Sequence, residues 1–294
     1  MPRVTIGLIG GSGFYNMPGL TDVEEVQVET PFGSPSDAIL LGTLGGRRVA
    51  FLPRHGRGHR VSPTDLPVQA NIWALKSLGV ERLLSVSAVG SMREEIAPSH
   101  LVVPDQLIDR TVARPRTFFG PGLVGHVSFA DPYCPQLRAT LVAAAQAADA
   151  PVHDGGTYIV IEGPQFSTRA ESLLYRSWGV AVVGMTALPE ARLAREAEMC
   201  YANLALATDY DCWHSEEATV TADLVVQNLQ RSVTRAQTTI AGLIARLVAQ
   251  AEAGCACGHA LDTALMTAPD QIAPAVQARL EPILRRVQSV KRET

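Results

Sequence analysis

Cysteine is scarce in this chain, with five in 294 residues, at positions 134, 200, 212, 255 and 257. Thiols so few and so scattered do not form the disulfide framework that holds small secreted domains together. Cys255-Ala256-Cys257, with His259 close by, starts like a zinc motif but lacks a second ligand pair at the spacing such motifs use. No metal is therefore expected, and the two thiols read as ordinary packing or a redox-sensitive pair. Long apolar runs are missing as well: no stretch reaches the ~18 residues that a spanning helix needs. The first ten residues enter a strand-like run at once, without the apolar core and cleavage pattern of a leader, so a soluble cytoplasmic protein with no membrane partner is expected. Long runs of Lys or Arg are absent and the net charge is −4, which argues against nucleic acid as a partner. There is no internal repeat and no linker. A small molecule fits best as the partner.

With 47% apolar residues the chain supports a large core. Strand-like stretches are expected at 4–9, 27–29, 38–43, 48–53, 82–87, 101–104, 157–161, 180–183 and 201–207, bounded by Gly and Pro turn signals. Helical spacing marks 71–78, 135–148, 169–178, 190–198 and a long amphipathic stretch, 222–251. Alternating strands and helices make an α/β fold, and a single domain over 1–294 is the simplest division. Residues 109–131 lack periodicity, and an irregular loop of this length is usually functional or at an interface. Beyond about residue 255 come two shorter helical pieces and a charged end, 285–294, expected to fray.

Chemistry concentrates at strand ends. The apolar run Tyr201 to Ala207 stops at Thr208-Asp209-Tyr210-Asp211, and ligands of open α/β sheets bind where strands end. Gly10-Gly11-Ser12-Gly13 follows the first strand and suits an anion held by backbone N–H groups. Asn16 stands where a dinucleotide fingerprint needs its third glycine, and no Gly-Lys-Ser/Thr follows for a Walker loop. The densest cationic cluster, Arg54 to Arg60, follows another strand and reads as an anion grip of guanidinium and imidazole donors. Ala88 to Ser91 reads as a second small-residue turn.

Gly10 to Gly13, Arg54-His55-Gly56-Arg57, Glu162-Gly163-Pro164-Gln165-Phe166-Ser167, and Gly184-Met185-Thr186 with Thr208 to Asp211 together resemble one family. It is that of the trimeric purine nucleoside phosphorylases, and within it the group acting on S-methyl-5′-thioadenosine. The resemblance covers roughly residues 4 to 250. It implies a three-layer αβα fold with a central mixed sheet, and a homotrimer or dimer of trimers. It implies phosphorolysis of S-methyl-5′-thioadenosine to adenine and 5-methylthioribose 1-phosphate, with adenosine as a further substrate. Phosphate is a co-substrate and no cofactor is needed. By resemblance, Ser12, Arg54, His55, Ser87, Ala88 and Thr186 bind phosphate, Ala88 through its N–H. Phe166 lies against the purine, Met185 under the ribose, and Asp209 and Asp211 around N7 and the 6-amino group. Ala222 and Val225 stand where relatives preferring a 5′-hydroxyl have a His early in the long helix. His126 matches a residue that reaches the 5′ pocket from the neighbouring subunit. Ser12 and Ser87 replace a Thr common among relatives and keep the hydroxyl. The C-terminal ~40 residues resemble an extension of some microbial members only.

The chemistry fits these residue types. Cleaving a purine N-glycosidic bond leaves electron density on the base and positive charge on the sugar carbon, which calls for protonation at N7 and an anion beneath the ribose. Asp209 is the expected acid. A second carboxylate accepts from a 6-amino group and repels a 6-oxo group, a polarity mismatch worth ~10⁴-fold or more. A 6-oxopurine or methylthioinosine phosphorylase would share the phosphate site but lack the acid pair. A hydrolytic nucleosidase would not need Arg54 and His55 together, and a non-catalytic sensor would bind without turnover.

Overall fold

The computed structural model describes residues 4–11, 14, 17–214, 221–249 and 254–293. Its strands in chain order are β1 (Ile6–Gly10), β2 (Thr21–Val26), β3 (Ile39–Leu44), β4 (Arg47–Pro53), β5 (Arg82–Ser91), β6 (Leu101–Val103), β7 (Gln106–Arg110), β8 (Val152–Asp154), β9 (Thr157–Ile161), β10 (Val182–Gly184) and β11 (Cys200–Asp209). The helices are α1 (Val68–Ser77), α2 (Pro135–Ala147), α3 (Arg169–Ser177), α4 (Ala187–Glu196), α5 (Ala222–Ala249), α6 (Pro274–Arg279) and α7 (Glu281–Glu293).

All the strands join one mixed sheet, with the path β2-β3-β4-β1-β5-β10-β9-β7 and a branch through β11, β6 and β8. β11 is parallel to β5 along nearly its whole length, from Cys200 opposite Arg82 to Asp209 opposite Gly90. Side chains of a strand alternate between faces, and β11 shows it. Tyr201, Ala205 and Ala207 enter the core shared with α1, α4 and α7, whereas Ala202, Leu204 and Leu206 enter the core shared with α2 and α5. A strand covered on both faces has no polar side, which is why its sequence is almost wholly apolar, with buried Asn203 the one amide in the run. Helices on two faces of one sheet make the three-layer αβα architecture.

Two expectations change in detail. The first edge strand is Thr21–Val26 and not 27–29; its side chains are nearly all exposed, so no buried face marked it. Ala88 to Ser91 is not a turn. β5 continues to Ser91, pairing with β1 at Arg82 to Ser85 and with antiparallel β10 at Gly90 and Ser91. The sheet therefore splits along that edge of β5, between Ser85 and Gly90.

Within the described residues the charged end is helical. α7 runs to Glu293 and buries Ile283 and Leu284, next to buried Leu280 at the end of α6, while Arg286 pairs with buried Glu198 at 2.5 Å. Among the described residues no helix is long and apolar enough to cross a membrane.

Candidate active site

The split in the sheet opens into a cavity of about 460 Å³, a size suited to a small ligand. Val86 to Gly90 of β5 form its floor, with walls from the ends of β1, β4, β10 and β11 and from α5. Of the thirteen residues singled out by resemblance, eleven line it: Arg54, His55, Ser87, Ala88, Phe166, Met185, Thr186, Asp209, Asp211, Ala222 and Val225. Ser12 lies outside the described residues, although Gly11 beside it lines the cavity. His126 does not line its own chain's cavity. It is exposed on the irregular loop, its N–H donating to Ala264 O at 2.9 Å.

The acid pair sits where β11 ends. Asp209 is the last residue of the strand and 4% exposed. One carboxylate oxygen accepts from the Asp211 N–H at 2.8 Å, the other from Thr208 Oγ1 at 2.7 Å. The first bond closes an Asx turn and goes with a left-handed backbone at Asp211 (φ 50°), which brings the second carboxyl back toward the cavity. Burial raises the Asp211 pKa above the usual range, opposed by hydrogen bonds from Ser172 and Ser167. Asn228 of α5 donates to Thr208 O at 2.6 Å and fixes the helix against the strand end. Gly90 faces the pair: a Cβ there would stand 3.0 Å from Asp209 Oδ1 and 3.2 Å from Asp211 Cβ.

The basic cluster divides in two. Arg57 pairs with Glu25 and Asp37, and Arg60 lies 3.9 Å from Asp37; neither lines the cavity. Arg54 does, yet its guanidinium is not the open fork expected of an anion grip. It is 1% exposed; Nε donates to Glu190 Oε1 at 2.6 Å, Nη2 to Ser85 Oγ at 2.6 Å, and Nη1 to Val86 O at 2.7 Å. The last contact satisfies a carbonyl at the split of β5, and Glu190 supplies the charge that offsets burial of the cation.

His55 is neutral at pH 7. Burial, then the adjacent Arg54 cation, lowers its pKa to about 4. Its Nδ1 lies 2.9 Å from Val61 O. A carbonyl only accepts, so the proton is assigned to Nδ1 and the lone pair to Nε2. Its ring stacks on His59 with centroids 4.3 Å apart. Across the cavity Thr186 Oγ1 is buried with no hydrogen-bond partner among the described residues.

Three features position these groups without being evident beforehand. Glu190 holds Arg54. Arg114, from the loop that lacked periodicity, is buried; it donates to Leu188 O at 2.8 Å and to Glu162 Oε1 at 3.1 Å, and so braces the Met185–Thr186 turn. The loop carrying Phe166 enters α3 through a reciprocal cap: Glu171 N–H donates to Thr168 Oγ1 at 3.2 Å and Thr168 N–H to Glu171 Oε2 at 2.8 Å. Only this cap had a local signature, Thr-x-x-Glu. The other end of the cavity is apolar: Ala222, Val225, Val226, Leu229 and Val233 of α5 recur at helical spacing along it.

Fold and cavity together define an α/β protein whose cavity sets the Ser87 and Thr186 hydroxyls and His55 beside the acid pair and against an apolar helix face. The chain belongs to the phosphorylase superfamily, which it matches over residues 5–248. It is similar to the S-methyl-5′-thioadenosine phosphorylase of Gloeobacter violaceus, 53% identical with 99% of each chain covered. That of Geobacter sulfurreducens is 61% identical over 80% of this chain and 82% of the relative. Among solved structures, a methylthioadenosine phosphorylase from an antarctic soil metagenomic library superposes with a TM-score of 0.92 at 48% identity, covering 96% of this chain and 99% of the other. The Schistosoma mansoni methylthioadenosine phosphorylase in complex with adenine gives 0.81 at 37% identity, covering 85% and 93%.

Proposed function

We propose that the chain cleaves S-methyl-5′-thioadenosine with phosphate, releasing adenine and 5-methylthioribose 1-phosphate, with adenosine as a further substrate. The observation that carries the reading is the convergence, in one cavity, of the acid pair, the Thr186 and Ser87 hydroxyls and an apolar helix face. Phosphate sits toward Thr186, Ser87, Ala88 and His55, with Ser12, outside the described residues, as a further phosphate ligand by resemblance. Neutral His55 accepts a hydrogen bond from a P–OH through Nε2, while Arg54 acts mainly by holding the β4 and β5 ends in place, with at most one Nη1 hydrogen left for the anion. Asp209 delivers the proton to N7, and Asp211 takes the hydrogen bond of the 6-amino group. Phe166 covers the purine, Met185 lies under the sugar, and the wall of Ala222 and Val225 receives the methylthio group. No cofactor takes part in this scheme.

The working form is a homotrimer or a dimer of trimers in the cytoplasm, in which His126 reaches the 5′ end of the next subunit's cavity. Its exposure, and that of Val112 and Val124 on the same loop and of Met266 on the C-terminal segment bridged to it, support a covered surface there. The test is base release from methylthioadenosine, adenosine, inosine and methylthioinosine, each with and without phosphate, following the sugar product. Adenine and a pentose 1-phosphate, formed only with phosphate and fastest from methylthioadenosine, is the expected result. Release without phosphate would make the protein a hydrolase.

A further inference from the structure

The lone zinc-like half-motif has its missing half in space. Cys134, Cys200, Cys255 and Cys257 bring their four Sγ atoms within 4.8 Å of one another. Four of the chain's five cysteines thus meet at one point, and none is in a disulfide. They come from three rigid places: the N-cap of α2, the first residue of β11, and the 3₁₀ turn at Ala256–His259 that begins the C-terminal extension. The backbone around them is tied. Cys134 N–H donates to Tyr201 O and Cys200 N–H to Glu81 O, both at 2.8 Å, and Gly258 N–H to Cys255 O at 3.0 Å. Cys134 and Cys257 are buried, among the apolar side chains between α2 and α5.

We propose that these four thiols bind one zinc ion as a tetrahedral tetrathiolate site. With Zn–S bonds of ~2.3 Å the sulfurs of such a site stand about 3.8 Å apart; Cys134 Sγ and Cys255 Sγ are 3.5 Å apart already. The donor set is all sulfur, the set that selects a soft tetrahedral ion over magnesium or calcium. The charge has local support as well. Cys134 Sγ accepts from the Leu137 N–H at 3.4 Å in the first turn of α2, where the helix dipole favours a thiolate. On binding, four S–H bonds give way to four Zn–S bonds and four protons leave to solvent, with no electron transferred. Two disulfides would instead require an oxidant to remove four electrons.

The site is structural. Cys200 opens β11 and Asp209 ends it, nine residue steps or about 30 Å away at strand rise. The ion ties the C-terminal extension to the sheet at the end opposite the acid pair. The test begins with protein purified without chelator, assayed for metal by mass spectrometry of the elements and for intact mass. One zinc per chain is expected. Protein stripped, reduced and titrated with Co²⁺ without oxygen should take up one equivalent, show the intense visible bands of a tetrahedral thiolate complex, and lose them to Zn²⁺. The double variant Cys255→Ser, Cys257→Ser should lose the metal and melt at lower temperature, whereas Cys212→Ser should retain one zinc. Iron in place of zinc would overturn the proposal. So would a mass four hydrogens light with no metal uptake after reduction, or reduced wild-type protein that gives no cobalt spectrum.

Discussion

Asp209 and Arg54 show how differently two charged residues reveal themselves. Asp209 was legible because an apolar run ended on it, and the structure adds that Thr208 Oγ1 and the Asp211 N–H orient it. Asp209→Asn keeps the shape but removes the transferable proton; release of adenine should fall by ~10²- to 10⁴-fold, with preference moving toward 6-oxopurine nucleosides. Unchanged adenine release would take Asp209 out of the mechanism. Arg54 was legible as a cation but not as a buried one, because Glu190 is 136 residues away. Arg54→Ala leaves Glu190 buried and unpaired, so it should cost about 3–5 kcal/mol of stability, and Arg54→Met with Glu190→Leu should recover much of that loss. Denaturant titration of the single and double variants separates this from a pure loss of phosphate affinity. His55 supplies a pH signature. Its folded pKa of about 4 lies below the ordinary 6.5, so between these values the unfolded chain binds more protons and stability falls as pH falls, by roughly 3 kcal/mol in full. Glu196 works in the opposite direction, since burial raises its pKa to about 7 and the stability it contributes is lost as pH rises through that value. Only the difference between parent and His55→Gln isolates the histidine: the variant should lose less stability from pH 6.5 to 4, and parallel curves would show that His55 is not buried neutral.

At the scale of elements, β5 and β11 carry the site, and their apolar cores were plain in the sequence. What misled at Ala88 to Ser91 was composition. Small residues usually mark turns, but here they make room in a continuing strand. The ideal Cβ at Gly90 would press on Asp209 Oδ1 at 3.0 Å and Val183 Cγ1 at 3.1 Å, closer than side chains normally pack. Gly90→Ala should therefore shift the acid pair by a few tenths of an ångström and lower kcat/KM by roughly 10- to 100-fold, given the steep cost of misplacing reacting groups. Stability should change much less. A crystal structure of the variant with Asp209 unmoved and activity intact would show that the glycine serves only the fold. The edge strand β2 was misplaced for the converse reason. Its side chains face solvent, so neither period nor burial left a mark on its sequence.

The whole molecule was the least legible scale, because its long-range contacts leave no local pattern. The C-terminal extension looked like a loose end, yet Leu280, Ile283 and Leu284 complete a core begun by α1 and α4. The same extension pairs with the His126 loop: Gly125 bridges Leu265, and Met266 N–H donates to Val124 O at 2.9 Å. The extension thus holds His126 away from its own chain's cavity, and the proposed trimer makes it useful by placing it at the next one. Mixed trimers test this directly. In the shared arrangement each site takes Asp209 from one chain and His126 from a neighbour. Co-expressing Asp209→Asn chains with His126→Ala chains assembles some sites from an intact Asp209 on one chain and an intact His126 on the next. With random assembly about a quarter of all sites are of this kind, as each condition is met half the time in a ring. Activity at low methylthioadenosine concentration should then exceed the average of the two separate homotrimers. Activity equal to that average would mean that each cavity is complete within its own chain.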